Sequence, residues 1–270
     1  MEAGAPMKIV VCVKQVPDTA AERKLKPADS TLDRASVDGL INELDEYAIE
    51  EGLLIAEAQR AAGGDATVTI LTMGPEKAAE SIRKALSMGA DEAIHLLDDG
   101  LAGSDGLSTS YALAQVLKDT GFDLVITGSE STDARMGVMA AMLAERLGVP
   151  QVSLASKVAI DGSAIRIRRV SEDGYFEVES TLPAVISVVE KINEPRYPSF
   201  KGIMAAKKKP VQTLSLADAG IDAALVGLAS SSTEVVDFAQ RPPRQAGTIV
   251  KDEGDGGVKV AEFLAAQKFI

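Results

Sequence analysis

The residues best suited to bind a ligand lie in a polar segment near the middle of the chain. Residues 123–128 (Asp-Leu-Val-Ile-Thr-Gly) are typical of a buried parallel strand, and a helix is predicted to follow as far as Leu147. Between them, four polar side chains are candidate N-caps for that helix: Ser129, Ser131, Thr132 and Asp133. A polar loop between a strand and a helix N-terminus directs several backbone N–H groups at one point and can bind a phosphate. An ordinary capped joint gives the same pattern, so this segment alone leaves both interpretations open.

Other candidate ligand-binding residues lie at the ends of neighbouring predicted strands. Ligands of open α/β sheets bind beyond the carboxyl ends of the strands, which places Cys12, Met73 and Gly128 around one crevice. Asn42, at a predicted helix start, could offer its amide to an adenine or a ribose. An N-cap role is at least as compatible with its position.

Two charged residues bear on whether this crevice accepts an anion. Arg135 could neutralise a phosphate held by the backbone N–H groups of residues 133–137, or it could be a solvated surface charge. Asp133 opposes an anion unless its carboxylate turns away to cap the helix. Only the convergence of these residues favours a ligand site over separate structural roles.

The chain lacks the residue sets that catalyse common reactions. A Ser-His-Asp triad would need His95, the only histidine, and nothing places a serine nucleophile beside it. One histidine and one cysteine cannot build a Cys/His metal cluster. Neither a G-x-G-x-x-G dinucleotide motif nor a Walker-type loop is present. We therefore expect His95 to be structural and the chain to have no catalytic site.

Composition narrows the class of protein. Hydrophobic residues make up 46% of the 270 residues, enough for a sizeable core, whereas aromatic residues make up only 4%. The net charge of −12 disfavours nucleic acid and anionic membrane surfaces as general partners. No apolar run approaches the roughly 18 residues that span a membrane, and the N-terminus lacks a signal-peptide core. A single cysteine, Cys12, forms no internal disulfide, so we expect a reduced, cytoplasmic setting.

Strands and helices alternate over the first 190 residues, which predicts a parallel sheet covered by helices on both faces. The predicted strands are 8–13, 66–72, 93–97, 123–128 and 183–189, and the predicted helices are 42–62, 76–88, 107–118 and the one that ends at 147. Asp173-Gly174 between two alternating segments predicts an antiparallel hairpin flap before the last central strand. The charged segment 20–38 is predicted to be a long loop with a short hairpin.

The C-terminal third has little core signal. Phe200 lies in a proline-bounded segment predicted to be a loop, where it could anchor a partner or fold back on its own sheet. Lys207–Lys209 could be solvated or could steer this segment towards an acidic partner. Residues 211–270 are predicted to be an arm that lies on another surface.

Four segments together resemble the beta subunit of electron transfer flavoproteins. They are Val13–Asp18 (Val-Lys-Gln-Val-Pro-Asp), Ala85–Asp91, the segment from Asp173-Gly174 to Pro183, and Asn193-Glu-Pro-Arg-Tyr197 through Lys209. The resemblance extends over nearly everything from residue 8 onwards. It implies a Rossmann-like parallel sheet of the adenine-nucleotide alpha-hydrolase-like type. It also implies a nucleotide-binding domain over 1–192, a partner-recognition loop over 193–210, and a C-terminal arm over 211–270 that wraps the alpha subunit.

The resemblance further implies a heterodimer in which the alpha subunit holds most of a redox-active FAD and this subunit holds a structural AMP. By position, the cofactor-binding residues would be Cys12, Asn42, Glu43, Leu44, Asp45, Met73, Gly128, Ser129, Glu130, Ser131, Thr132, Asp133, Ala134, Arg135 and Met136. The partner-binding residues would be Tyr197, Phe200, Ile203 and Met204, with Phe200 as the hydrophobic anchor.

The phosphate turn departs from the family pattern. Many members carry Asp-x-x-Thr-Gly-Gln, whereas this chain has Asp133-Ala-Arg-Met-Gly-Val138. The lost hydroxyl and amide leave phosphate binding to main-chain N–H groups and Arg135. Thr19 stands near a position where some members place a tyrosine beside the flavin, which makes it only a weak candidate for flavin contact.

The resemblance implies an electron carrier subunit, not an enzyme. The carrier would take electrons from acyl-CoA and related dehydrogenases and pass them to a quinone oxidoreductase. Two alternatives remain. In bifurcating members this crevice holds a second FAD and electrons come from NADH; alternatively, the chain is a stand-alone nucleotide-binding protein with no redox role.

Overall fold

The computed structural model describes residues 6–240, 242–243, 247 and 249–270. The chain forms two units, with the boundary between Val235 and Val236. The predicted domain 1–192 and the predicted arm 211–270 both include positions that lie outside the described residues: 1–5, 241, 244–246 and 248.

The first unit is built on a mostly parallel sheet. The strands are β1 Met7–Cys12, β2 Gln15–Pro17, β3 Gly39–Ile41, β4 Ala66–Met73, β5 Glu92–Leu96, β6 Leu124–Gly128, β7 Gln151–Asp161, β8 Ala164–Ser171, β9 Gly174–Thr181, β10 Ala184–Val188 and β11 Val211–Leu214. Within the described residues, nine of them form one sheet in the order β11-β5-β4-β1-β6-β10-β7-β8-β9. Pairing is parallel from β11 to β7. The predicted Rossmann-like sheet is confirmed.

Helices cover both faces of the sheet, as strands that are apolar on both sides require. Within the described residues the α-helices are α1 Glu43–Ala61, α2 Ala79–Met88, α3 Gly106–Thr120, α4 Met139–Leu147 and α5 Phe200–Ala206 in the first unit, and α6 Gly256–Ala266 in the second. Ile49 of α1 and Leu86 of α2 are fully buried in one core, and Leu117 of α3 and Leu143 of α4 in the other. Full burial of such a side chain stabilises the fold by about 1.5–3 kcal/mol.

The antiparallel flap lies where the sequence predicts it. The first part of β7 pairs with β10, and its second part pairs with β8, after a register shift near Leu154, which has a positive φ of 59°. The turn at Asp173 then leads into β9, which pairs with β8 along its length. Two further strands, β2 and β3, form a small antiparallel sheet. In the predicted loop 20–38, Leu25 and Leu32 form one antiparallel bridge.

The C-terminal third contributes more to the core than its sequence pattern indicates. β11 pairs with β5 and forms one edge of the sheet, and four apolar residues beyond it are buried on the α3 face: Leu216, Ala219, Ile221 and Val226. The first unit extends to Val235. Sequence analysis did not identify these core residues, because a four-residue edge strand and isolated apolar residues have no detectable periodicity.

The second unit contains α6, whose apolar residues Val258, Val260 and Phe263 are exposed. Across all the residues that the structure describes, no helix has the length and apolar content to cross a membrane.

Candidate functional site

The central strand β1 lies at the point where the chain reverses direction across the sheet. From β1 the chain proceeds outward through β4 and β5, then returns to place β6 on the other side of β1. In open α/β sheets, ligands bind beyond the carboxyl ends of the strands at such a switch point. Cys12, Met73 and Gly128 are the last residues of these three adjacent strands, in line with the expected crevice.

Gly128 is required by a close approach between β6 and the start of α1. A Cβ at this position would lie 2.6 Å from Asp45 Oδ1 and 2.9 Å from the carbonyl carbon of Leu44. Neighbouring side-chain and backbone atoms would both have to move to admit it. The helix that carries Leu44 and Asp45 therefore begins directly against the end of β6.

Asp45 joins these elements through hydrogen bonds. Its Oδ2 accepts from the backbone N–H of Lys14 at 2.8 Å, and its Oδ1 accepts from Asn42 Nδ2 at 2.9 Å. The backbone N–H of Gly128 lies near this carboxyl group and also favours its ionised form. Burial raises the pKa of Asp45 to about 7, although these N–H donors favour the ionised form.

Asn42 occupies the N-cap position of α1 but its side chain makes no capping bond there. Instead, Nδ2 also donates to the carbonyl of Glu130 at 2.9 Å, and Oδ1 accepts from the backbone N–H of Thr132 at 3.0 Å. The fully buried amide thus fixes the polar segment to the start of α1. Because both amide hydrogens are bonded to protein, the side chain positions the loop in this structure.

The prediction that one of four polar residues is the N-cap of α4 is wrong. The helix begins at Met139, with Val138 in the N-cap position and no side-chain cap. The segment first forms a turn in which the N–H of Arg135 donates to the carbonyl of Ser131 at 2.8 Å. Positive φ angles at Arg135 (50°) and Gly137 (66°) then redirect the chain before the helix starts. Ser129, Ser131, Thr132 and Asp133 therefore precede α4 by several residues.

Asp133 is held by two cations. Oδ1 accepts from Lys14 Nζ at 2.8 Å and Oδ2 from Arg34 Nη2 at 2.5 Å, and the Asp133 side chain is only 1% exposed. Burial alone would raise the pKa of Asp133, but Lys14 and Arg34 hold it well below its usual range. Its carboxylate pairs with these cations and does not cap the helix, so the helix-cap role considered for Asp133 is absent. Two positive charges against one negative charge leave this cluster compatible with an anion nearby.

Sequence analysis missed both cations. Lys14 directly follows the first strand, which was a usable signal, whereas Arg34 lies in a long loop and 99 residues from Asp133. Arg135, the predicted phosphate ligand, is exposed and pairs with Glu130 at 3.0 Å.

The predicted cofactor residues fall into two groups on opposite faces of the sheet. Cys12 and Met73 pack against the core on the α3 and α4 face. Met136 also lies next to the start of α3. Its Sδ would be only 2.8 Å from a Cβ at Gly106, the first residue of that helix. On the α1 and α2 side, a cavity of about 480 Å³ is lined by five others: Glu43, Leu44, Glu130, Thr132 and Arg135. Ser129 is half-buried and Ala134 exposed between the groups.

One orphaned polar atom tests whether the first group fits a nucleotide. Thr127 alternates with the core residue Val125, so its side chain lies on the face of Cys12 and Met73. Its buried Oγ1 has no hydrogen-bond partner within the described residues. Unpaired buried hydroxyls are rare in proteins and are often satisfied by a ligand or water. These residues therefore fit a ligand that carries polar groups, such as a nucleotide.

His95 is structural, as predicted. It is 3% exposed, and its Nε2 lies 3.0 Å from the carbonyl oxygen of Gly74. Cys12 is a free, half-buried thiol whose pKa is raised to about 12 by burial and by the charge of Asp45.

The predicted partner residues form an exposed apolar patch. Tyr197 is 95% and Phe200 81% exposed, and Ile203 and Met204 are about half exposed (45% and 48%). The prediction of a loop is wrong at Phe200, which is the first residue of α5 and follows the N-cap Ser199. The alternative in which the ring folds back on its own sheet is also wrong.

The helix α5 and the residues that follow it pack closely against α2 and are hydrogen-bonded to it. A Cβ at Gly202 would lie 2.5 Å from the carbonyl oxygen of Ser87, and Arg83 Nη1 donates to the carbonyl of Ala206 at 2.7 Å. Lys209 Nζ donates to three carbonyls at the C-terminal end of α2, those of Leu86, Gly89 and Ala90. Lys209, for which the sequence left a solvated role and a steering role open, therefore caps the C-terminal end of α2.

Comparison with known proteins identifies the family. A model of the electron transfer flavoprotein domain matches residues 29–219. The chain is 53% identical over 263 residues to the electron transfer flavoprotein subunit beta of Mycobacterium bovis, covering 97% of this chain and 99% of that protein. It is 38% identical to the subunit beta of Megasphaera elsdenii, covering 98% and 100%. It is 35% identical to the caffeyl-CoA reductase-Etf complex subunit CarD of Acetobacterium woodii, covering 90% and 92%. The chain therefore belongs to the electron transfer flavoprotein family, as a beta subunit.

Proposed function

We propose that this chain pairs with an electron transfer flavoprotein alpha subunit to form a cytoplasmic electron carrier. The carrier takes electrons from acyl-CoA and related dehydrogenases and passes them to a quinone oxidoreductase. The observation that carries this proposal is the similarity to named beta subunits over 97% of the chain. FAD, bound mainly by the alpha subunit, would supply the redox chemistry by accepting electrons one or two at a time.

The crevice at the ends of β1, β4 and β6 would hold an AMP with a structural role. Thr127 offers an unpaired hydroxyl there, and residues 129–136, whose backbone N–H groups could bind the phosphate, directly follow the end of β6. Lys14 and Arg34 balance the charge of Asp133, which otherwise opposes a phosphate. Asn42 and Asp45 would act by holding the loop in place.

Phe200 would be the anchor that docks the dehydrogenase. A single exposed aromatic ring that enters a partner's apolar pocket commonly contributes about 2 kcal/mol or more to binding. The neighbouring apolar residues Tyr197, Ile203 and Met204 would surround it, since all three are at least 45% exposed.

The test is the kinetics of flavin reduction in the heterodimer with Phe200→Ala. We expect the KM for an acyl-CoA dehydrogenase to rise roughly 10- to 100-fold, because about 2 kcal/mol corresponds to such a factor. Phe176→Ala is the matched control, since Phe176 is an exposed phenylalanine (61%) on the flap. An unchanged KM in Phe200→Ala would count against the anchor role.

A second candidate keeps the family and changes the ligand. The relative CarD belongs to a caffeyl-CoA reductase-Etf complex, and the phosphate turn here lacks the threonine and glutamine of many members. In this alternative the crevice holds a second FAD and the complex uses NADH, as in bifurcating members. The flavin absorbance per heterodimer separates the two candidates, because only this one has two flavins. Family membership leaves a stand-alone, non-redox nucleotide-binding role without support.

A further inference from the structure

Arg196 connects the segment before α5 to a buried glutamate of α1. Its Nε donates to Glu50 Oε2 at 2.8 Å and its Nη2 to Glu50 Oε1 at 2.9 Å, which is a bidentate pair. The backbone N–H of Arg196 also donates to Oε2 at 3.1 Å. Glu50 is only 5% exposed. A buried carboxylate with this many bonds fixes both the side chain and the backbone of the arginine.

The same guanidinium reaches a second glutamate on α1. Nη1 donates to Glu57 Oε1 at 2.6 Å, and Nη2 donates to Glu57 Oε2 at 3.2 Å. Glu50 and Glu57 are seven residues apart, so they lie two turns apart on one face of the helix. Arg196 therefore spans two turns of α1, and its planar fork makes an arrangement that a lysine could not reproduce.

A neighbouring residue attaches the same segment to α1 at a second point. Asn193 Nδ2 donates to the carbonyl of Tyr47 at 3.0 Å and to Glu51 Oε2 at 3.0 Å. The two attachments leave only two residues, Glu194 and Pro195, between them. The chain is thus fixed immediately before the exposed residue Tyr197.

We propose that Arg196, through Glu50 and Glu57, is a positioning residue that presents Tyr197 and Phe200 to the dehydrogenase. This inference rests on the docking role proposed above. A segment held in its binding conformation loses less conformational entropy on association than a mobile one. Tyr197, next to Arg196, is 95% exposed, so no covering side chain holds it in place, and the backbone attachment must do so.

The segment that carries Arg196 also borders a cavity shared with the polar segment. Arg196 and Tyr197 line the 480 Å³ cavity together with Glu130, Thr132 and Arg135. Tyr197 therefore belongs both to the docking patch and to the lining of this cavity.

The experiment compares four variants of the purified heterodimer: Arg196→Gln, Glu57→Gln, Phe200→Ala and Arg166→Gln. Arg166 pairs with Glu179 on the exposed flap, so its variant is a control for the loss of an arginine. For each variant, the KM and kcat of flavin reduction by an acyl-CoA dehydrogenase are measured. Amide hydrogen exchange over 193–206 is recorded as well.

We expect Arg196→Gln to raise KM roughly tenfold, because two aromatic side chains must then be ordered on binding, with kcat unchanged. Exchange over 193–199 should become faster. Glu57→Gln, which keeps the Glu50 pair, should raise KM by a smaller factor, and it serves as the test if Arg196→Gln does not fold. Arg166→Gln should change neither quantity.

The two proposals fail in different ways. If Phe200→Ala raises KM but Arg196→Gln and Glu57→Gln do not, the docking role stands and the positioning role is overturned. If Phe200→Ala itself leaves KM unchanged, the docking role is wrong, and the positioning role falls with it. A drop in kcat without a rise in KM in Arg196→Gln would also overturn the positioning role.

Discussion

Asp45 and Asp133 are two buried carboxylates whose surroundings have opposite effects on protonation. Asp45 is surrounded by neutral N–H donors, and burial raises its pKa to about 7. Asp133 lies between Lys14 and Arg34, which hold its pKa below the usual range despite burial. The two residues therefore affect folding stability in different pH ranges and with opposite sign.

Between about pH 4 and pH 7, Asp45 should make the parent protein less stable as the pH rises. The variant Asp45→Asn should lack this pH dependence. In this range the folded protein retains a proton that the unfolded chain, with a pKa near 3.8, has released. The free energy of unfolding therefore falls as pH rises, by about 4 kcal/mol in total for such a shift. Urea unfolding from pH 4.5 to 8 measures this slope. The same slope in Asp45→Asn would contradict the assignment.

The variant Asp133→Asn should change how the free energy of unfolding depends on pH under acidic conditions. The ionised carboxylate stabilises the fold above its ordinary pKa of 3.8, and that contribution is lost as pH falls below this value. At pH 7 we expect the free energy of unfolding of the variant to be lower than that of the parent by about 1–3 kcal/mol, because Lys14 and Arg34 are left unpaired. Below about pH 3 the difference between the two proteins should be smaller. Urea unfolding at both pH values measures it. A difference independent of pH would count against the ion pairs.

At the residue scale, sequence analysis predicts the strand ends around the proposed site but not the contacts of the polar side chains near them. Cys12, Met73 and Gly128 follow from strand ends, because apolar runs mark strands and strand ends mark the ligand edge. The partners that join Asn42 and Asp133 to other segments do not follow, since they lie between 88 and 119 residues away along the chain. Such pairs depend on the tertiary fold, which a local pattern does not contain.

At the scale of elements, the contact between α5 and α2 depends on a glycine. In Gly202→Ala the new Cβ would lie 2.5 Å from the backbone oxygen of Ser87, so α5 would have to shift. We expect a loss of about 1–3 kcal/mol in the free energy of unfolding. The control is Gly257→Ala in α6, where no heavy atom lies within 4 Å and alanine should stabilise by up to about 1 kcal/mol. Chemical unfolding of both variants measures the difference. Equal stability would argue against close packing of α5.

The elements that the sequence predicts correctly are those with a long or continuous apolar pattern. The helix α1 and the central strands belong to this group, because their buried positions recur at helical or strand spacing. The start of α4, the short helix α5 and the edge strand β11 do not. Their bounds are set by two positive φ angles, by packing on α2 and by pairing with β5, respectively.

At the scale of the whole molecule, the two units differ in how much they bury. Among the described residues, the last buried apolar side chain is Val226, and both cores lie in the first unit. The second unit exposes Phe263, Phe269 and Ile270. Exposed apolar side chains in such numbers are typical of a surface that another chain covers.

A chain truncated after Val235 should fold with a free energy of unfolding within about 1 kcal/mol of the parent, because no core residue is removed. It should also bind the alpha subunit less well, because it lacks the exposed apolar residues of the second unit. Chemical unfolding and co-purification of the two subunits measure these effects. A truncated chain that is unfolded would show that the second unit is required for folding.

The nucleotide content of the purified heterodimer tests the proposed AMP site. The two subunits are expressed together, and the nucleotides released on denaturation are separated and counted per heterodimer. We expect one FAD and one AMP, with the AMP lost or reduced when Thr127→Val removes the unpaired hydroxyl. Two FAD molecules per heterodimer, or one FAD with no second nucleotide, would contradict a mononucleotide in the crevice formed by Cys12, Met73 and Gly128.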